Sequence, residues 1–111
     1  MIVLLHRRAA AEQLAQMLDA LELYVKLADD IKRGVLAGGG ALHADCEAVL
    51  LDEGSLQEDI WGADWIPLSQ EIRYEALINI RPRQNNLSMT ILDQAVRQRL
   101  ERVVRELLQG V

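Results

Sequence analysis

The sequence predicts a single α+β domain, an antiparallel β-meander of three to four strands with two helices packed on one face. Three observations support this fold class. Two segments, residues 9–22 and 94–109, repeat apolar residues at the spacing of an amphipathic helix. Several segments between them alternate apolar and polar residues, as half-buried strands do. Glycine and proline residues separate these segments and mark turns.

The first third of the chain is predicted to form a strand, a helix and a second strand. The apolar run at residues 2–5 indicates a short buried strand. The helix of residues 9–22 has an apolar stripe at Leu14, Met17, Leu18 and Leu21. Residues 24–33 then alternate with a period of two, although a helix also fits their apolar positions. We favour a strand because Gly34 and a Gly38–Gly40 triplet soon interrupt the chain.

One residue of this second strand does not fit its face. Asp29 lies on the side that also carries Val25, Leu27 and Ile31, where an apolar residue is expected. A bend, a strand end or an edge position would accommodate its carboxyl group. The glycine triplet that follows lacks the spacing of a dinucleotide fingerprint or a phosphate loop, so we expect a tight turn or a bulge.

The middle of the chain is predicted to form three successive strands. Residues 43–51 alternate between two faces and end at a turn, where Gly54 suits a positive φ. Residues 57–66 form the return strand. After a second turn, residues 71–81 alternate most clearly, and Pro82 ends this strand because it has no N–H to donate.

The chain ends in a polar loop and a second helix. Residues 83–90 are rich in polar side chains, and Asp93 is a good N-cap for the helix of residues 94–109. Gly110 follows at the position that favours a left-handed C-terminal cap. Four arginines make the outer face of this helix basic: Arg97, Arg99, Arg102 and Arg105.

Composition narrows the class of protein. The chain has 111 residues, half of them apolar, which excludes a disordered or collagen-like chain. The single cysteine, Cys46, has no partner for a disulfide or a structural zinc site, and its alanine neighbours indicate a small buried residue. The apolar opening is too short for a signal segment, and no run is long enough to span a membrane. We therefore expect a cytoplasmic protein without membrane contact.

Charge is distributed unevenly along the chain. The net charge is −5, yet residues 34–72 contain eight acids and no Lys or Arg. An acidic surface repels phosphate backbones, so we do not expect a nucleic-acid partner. Such a surface suits cations, basic partners or solubility alone.

Three polar residues of the strand predicted at residues 43–51 have the chemistry of metal ligands and of acids and bases. His43, Asp45 and Glu47 alternate and would project to one side. Residues two apart on a strand are separated by about 6.6 Å, so two of them could share one divalent ion but three could not. One hypothesis is therefore a metal-assisted hydrolase, with His43 and Asp45 as ligands and Glu47 or Asp30 as base. The further ligand that such a site needs would come from another strand: Asp30, Asp59 or Asn79.

A second hypothesis joins polar residues from several strands into one ligand-binding patch on the open face of the sheet. Its members are Lys26, Asp30, His43, Asp45, Glu47, Asn79 and Arg81. The Arg81 guanidinium could bind a carboxylate or a phosphate through two hydrogen bonds. The plainer alternative is a set of cross-strand ion pairs. These residues do not identify a small-molecule ligand.

Trp61 and Trp65 are four residues apart and therefore share one face of a strand. They are candidate core residues or an exposed pair at an interface, where tryptophan is enriched. We predict a homo-oligomer, most simply a dimer formed through the open face, because so small a domain benefits from burying that face.

A weaker hypothesis is an RNA-associated factor. Arg81 and Arg83 lie in a basic, amide-rich loop, and the last helix adds its arginine face. The loop lacks aromatic residues on which bases stack, so capping of the loop by its own side chains is the simpler account.

Four strings of the sequence together resemble a known family: GGGALHADCE at residues 38–47, LLDEGS at 50–55, QEDIWGADW at 57–65 and LINIRPRQNN at 77–86. The family consists of small prokaryotic proteins, prominent in cyanobacteria, and is described only as a domain of unknown function. The resemblance extends from about Leu14 to Leu108 and implies a similar fold but no particular activity. The family pattern has an apolar residue where this chain carries Asp29.

The sequence contains no complete catalytic set. We therefore predict a binding or regulatory module that presents a polar sheet face, and we assign no enzymatic reaction.

Overall fold

The computed structural model, which describes residues 1–111, contains one five-stranded antiparallel sheet with helices on both faces. In chain order the elements are β1 (Val3–Leu5), α1 (Ala11–Met17), β2 (Val25–Asp30), β3 (Val35–Gly38), α2 (His43–Asp52), β4 (Ile60–Ile66), β5 (Glu71–Arg73) and α3 (Gln94–Leu108). The strand order is β1-β3-β2-β4-β5, so β2 is central. The predicted α+β class with an antiparallel sheet is confirmed, whereas the numbers of strands and helices were underestimated. The predicted meander is wrong, because β1 pairs with β3 and β2 pairs with β4.

The sheet separates two hydrophobic cores. Helices α1 and α3 cover one face, where Leu27, Leu36 and Trp65 belong to a core of 16 buried residues. Helix α2 covers the other face, where Ala28 and Cys46 belong to a core of six. The two predicted helices do share one face, but a third helix covers the face that we expected to be open.

Helix α2 replaces the strand predicted over residues 43–51. The alternation that indicated a strand also fits a helix, because Cys46 and Leu50, four residues apart, are both buried against the sheet. Ala44 and Ala48 are strong helix formers and are disfavoured in strands. A glycine with a positive φ follows the helix, as at many helix ends. The strand prediction was wrong because it considered the period without the helix propensity.

The strand predicted over residues 71–81 ends at Arg73. Beyond it the chain crosses β4 on the α2 side of the sheet. The crossing requires glycine at Gly62, because a Cβ there would lie 2.6 Å from the Cβ of Ala76. The Asn79 amide donates to the Gly62 carbonyl at 3.0 Å and accepts from the Gly62 N–H at 2.7 Å. These two bonds satisfy the backbone of β4 where β5 has ended.

Other predicted elements are present with changed bounds. The first helix is shorter than residues 9–22, the strand at residues 24–33 is limited to β2, and the strand at residues 57–66 begins only at Ile60. Strand β3 was not predicted. Gly39 and Gly40 have positive φ and turn the chain from β3 into α2, so the glycine triplet ends in a turn.

The last helix begins as predicted. The Asp93 carboxylate accepts hydrogen bonds from the N–H groups of Ala95 at 2.8 Å and Val96 at 3.1 Å, which satisfies two donors that the helix leaves free. None of the three helices combines the length and the hydropathy needed to cross a membrane.

Trp61 and Trp65 both project from β4 into the core beneath α1 and α3. Their exposed fractions are 4% and 0%. Of the two roles that the sequence left open, they have the core role, and they offer no surface to a dimer partner.

Candidate functional site

The seven residues predicted to form one ligand-binding patch lie in separate places. Lys26 and His43 line one surface cavity, and Glu47 and Arg81 line another. The remaining three lie outside both cavities. Asp30 and Asn79 are buried, and Asp45 is exposed. The predicted single patch is therefore wrong, because α2 occupies the middle of the face on which it was expected.

The first cavity lies between the N-terminus of α2 and residues 75–78 with Met89, and we call it the Lys26 cavity. Its volume is about 510 Å³. Its polar lining consists of Tyr24, Lys26, His43, Asp64 and Glu75, and its apolar lining includes Leu42, Leu77 and Met89. A mostly apolar wall with a few polar groups is typical of small-molecule sites.

The register of the central strands forms the floor of the Lys26 cavity. Lys26 of β2 and Asp64 of β4 are direct cross-strand partners, so their side chains leave the sheet side by side. They project on the α2 side, because Ala28, two residues after Lys26, packs in the core beneath α2. The first turn of α2 brings His43 next to Asp64.

His43 binds Asp64 through a short hydrogen bond. Its Nε2 lies 2.8 Å from Asp64 Oδ1 and 3.1 Å from the carbonyl oxygen of Ala63. Both partners accept hydrogen bonds, so Nε2 carries a proton and Nδ1 keeps a lone pair in the neutral ring. Only 12% of the His43 side chain and 14% of the Asp64 side chain are exposed. A carboxylate placed in this way fixes the orientation of an imidazole ring.

The Lys26 ammonium group has no partner in the chain. It takes part in none of the ion pairs, although Asp64 lies directly across from it. Glu75 forms no ion pair either, and only one of the two Asp64 carboxylate oxygens is bonded. The cavity therefore has one cationic and two anionic groups with unused hydrogen-bonding capacity.

Arg81 has no such capacity, because all five of its N–H groups donate within the chain. The hydrogen bonds are 2.6–3.2 Å long. The acceptors are the carbonyl oxygens of Gln57, Ile60 and Ile78 and the side chains of Glu47 and Gln84. Burial lowers the pKa of Arg81, and the charge of Glu47 opposes this shift. The prediction that Arg81 binds an anionic ligand is wrong, since the guanidinium is a structural link.

The surface beside Arg81 is a second cavity, with a volume of about 630 Å³. It is larger than the Lys26 cavity, but the two charged groups most buried in its wall, Arg81 and Glu47, bind each other at 3.2 Å. The guanidinium also lies 5.1 Å from the centre of the Trp61 ring. Size alone therefore does not make this cavity the better candidate.

Three of the six arginines of the RNA hypothesis are engaged within the chain. Arg97 lies over the Tyr74 ring at 4.2 Å, and Arg105 donates to Glu101 and to the carbonyl of Gln70, each at 3.1 Å. Arg81 is the third engaged arginine, whereas Arg83, Arg99 and Arg102 are exposed and take part in no ion pair.

The predicted metal site does not form. On α2, His43 and Glu47 share one face, whereas Asp45 lies two positions away from each and is exposed. No three His, Cys, Asp or Glu side chains of the chain are placed to hold one ion. The metal-assisted hydrolase hypothesis therefore has no ligand set among the residues for which it was made.

Cys46 is a buried structural residue, as predicted. Its thiol donates to the carbonyl oxygen of Gly39 at 3.2 Å. Burial, with a smaller contribution from Asp29, raises the pKa of Cys46 to about 12. A thiol with this pKa is not a nucleophile at neutral pH.

Three polar residues of the Lys26 cavity were missed by the sequence reasoning: Tyr24, Asp64 and Glu75. The available signal was the position of Asp64 directly before Trp65, which places an acid on the opposite face of β4 from the tryptophans. Glu75 offered no signal, because the strand predicted over residues 71–81 ends at Arg73 in the structure and Glu75 lies beyond it.

A comparison with protein-family models places the chain in a known family. The model described as "Protein of unknown function (DUF5674)" matches residues 3–107. No curated protein and no solved structure shows significant similarity to the chain. The match covers nearly the whole domain and confirms the resemblance to a domain of unknown function. The chain therefore belongs to the DUF5674 family.

Proposed function

We propose that this protein is a binding module for a small molecule and that the Lys26 cavity is its binding site. The observation that carries the proposal is the unused capacity of Lys26, Asp64 and Glu75 in a cavity whose remaining wall is mainly apolar. Ligand sites combine an apolar wall with a few polar groups that fix orientation, and this cavity has both.

Binding is favoured over catalysis by the residue types present. No Ser, Thr or Cys lines the Lys26 cavity, and Cys46 is buried with a raised pKa. The His43–Asp64 pair has the orientation of a base and its positioning carboxylate, but the cavity offers it no Ser or Thr hydroxyl and no Cys thiol to activate. His43 therefore acts in our proposal as a hydrogen-bonding group that holds Asp64 in place.

The proposal is tested by closing the cavity with one substitution. Leu77 lines the cavity and is 71% exposed, whereas Leu87 is 75% exposed and lies outside it. Leu77→Arg should block the cavity without loss of folding, and Leu87→Arg is its matched control. Small metabolites would be screened by NMR on isotope-labelled protein, and the backbone shifts of Lys26 and His43 would be followed.

We expect hits that shift these signals in the wild-type protein and in Leu87→Arg but not in Leu77→Arg. Hits that bind Leu77→Arg as well as the wild type would show that the site lies elsewhere and would refute the proposal. The absence of any hit near Lys26 across a broad screen would count against it equally.

Two properties of the whole chain remain predictions within this proposal, its assembly and its location. A homodimer would use exposed leucines such as Leu23 and Leu68 instead of the buried tryptophans. Light scattering would test it, and a strict monomer at high concentration would refute it. For the location we propose the cytoplasm, where a free cysteine such as Cys46 stays reduced, and cell fractionation would test it.

A further inference from the structure

Charges of opposite sign meet in the Lys26 cavity. Lys26 on β2 supplies the cation, and Asp64 on the neighbouring strand β4 supplies the first anion. Glu75, which lies beyond the end of β5, is exposed and lines the wall of the same cavity. Since neighbouring strands are about 4.8 Å apart, opposite charges stand one strand spacing apart on the cavity floor.

A ligand with a single charge would leave part of this floor poorly paired. An anion at Lys26 would meet the negative charges of Asp64 and Glu75, and a cation would meet Lys26. An uncharged ligand would remove water from all three groups without replacing its hydrogen bonds. Only a ligand with both charges close together satisfies both sides of the floor.

Lys26 and Asp64 do not form an ion pair with each other, and Asp64 Oδ1 is bonded to His43 at 2.8 Å. Oδ2 stays available to a cationic group of a ligand, and the Lys26 ammonium stays available to an anionic group.

We infer that the ligand of the Lys26 cavity is a small zwitterion with an apolar body, of the class of free aliphatic amino acids. The inference rests on the proposed function. The ligand carboxylate lies at Lys26, and its ammonium group lies at Asp64 Oδ2 and Glu75. Its apolar body covers Leu77 and Met89, which are 71% and 43% exposed in the structure.

The test uses four probes that share one isobutyl body and differ in the charged groups that they carry. L-leucine is a zwitterion, N-acetyl-L-leucine an anion, L-leucinamide a cation and 4-methylpentanamide uncharged. Each would be titrated into the full-length protein and followed by NMR and calorimetry. We expect leucine to bind at least about tenfold more tightly than any of the other three, because each loses at least one charge-assisted hydrogen bond.

Substitutions then assign each end of the probe. Lys26→Met should lower the affinity for leucine about tenfold and leave that for leucinamide unchanged or improved. Arg83→Met is its control, since it removes the same charge from the other cavity. Glu75→Gln should weaken leucine but not N-acetyl-leucine, with Glu58→Gln at the other cavity as control.

Three results would overturn the inference. One is equal binding of all four probes, and another is binding of leucine that Lys26→Met does not change. The third is a failure of all four probes to bind. The proposed function survives each of these if screening hits of another class are still lost in Leu77→Arg, so the two failures are distinguishable.

Discussion

Asp29 and Asp30 are adjacent in β2 and both are completely buried, yet their surroundings are opposite. Asp30 projects to the α2 side, where it accepts from the Ser55 hydroxyl at 2.6 Å and from the N–H groups of Lys32 at 3.0 Å and Arg33 at 2.9 Å. Asp29 projects into the core beneath α1 and α3, and neither of its oxygens has a partner.

The comparison shows that burial does not determine the role of a carboxyl group, whereas its partners do. Asp30 closes the β2–β3 turn and links it through Ser55 to the chain that follows α2. The Asp29 carboxyl group has lost its hydration without gaining a hydrogen bond, and burial raises its pKa well above the ordinary value. One aspartate stabilises the fold, and the other destabilises it.

The largest effect is expected at the satisfied aspartate. Asp30→Ala should lower the free energy of unfolding by about 3–5 kcal/mol, because the buried Ser55 hydroxyl and two partly buried N–H groups lose a charged acceptor. Asp30→Asn should cost less, since its remaining oxygen still accepts from the turn. Urea denaturation measures both, and a neutral Asp30→Ala would contradict the role assigned to the network.

The opposite sign is expected at the unsatisfied aspartate. Asp29→Val should raise the free energy of unfolding by about 1–3 kcal/mol, because valine suits a strand and removes the unpaired polar group. Asp29→Asn is the matched control, since the amide has the same size and remains without partners. A destabilised Asp29→Val protein would show that the carboxyl group has a favourable contact after all.

We expect the free energy of unfolding to depend on pH through the ionisation of Asp29. Its pKa is raised in the folded state, so its contribution to stability is complete below the unfolded pKa of about 3.9 and is lost as pH rises through the folded pKa. The stability of the wild type relative to Asp29→Asn should therefore fall as pH rises from about 4. Urea denaturation at a series of pH values would measure this difference, and a difference that rises with pH would contradict it.

The smallest effect is expected at Arg33, at the edge of the hydrogen bonds around Asp30 and Ser55. Arg33 pairs with Glu53 at 2.6 Å, but its side chain is 37% exposed, so solvent weakens the pair. Arg33→Met should cost about 0–1 kcal/mol, well below the cost of Asp30→Ala. A loss as large as that of Asp30→Ala would place the centre of the network at Arg33.

The sequence alone predicted the two helices that cover one face and the strand that forms β2. Leu14 and Met17 in α1 and Leu100 and Val104 in α3 repeat at helical spacing and are buried as that spacing requires. It failed at α2, because Cys46 and Leu50 fit periods of two and of four equally well. It also failed after Arg73, where the alternation continues but the chain leaves the sheet to cross Gly62.

The same failure explains the candidate site. With residues 43–51 read as a strand, His43 and Glu47 were placed on an open face beside Asp45, and the sheet seemed to offer one polar patch. As a helix, the segment covers that face, brings His43 to Asp64 and Glu47 to Arg81, and leaves Lys26 at its edge. Lys26 and His43 were both predicted as ligand residues, but the acids beside them depend on strand register and could not be predicted.

The sequence by itself determined the fold class, the central strand and the misfit of Asp29, because these depend on local spacing and on the polarity of single residues. Only the tertiary structure decided which polar side chains have partners, because partners come from elements distant in the chain. Asp29 and Asp30 carry the same side chain one residue apart. The alternation of β2 directs them to opposite faces, and the packing on each face makes one a structural centre and the other a defect.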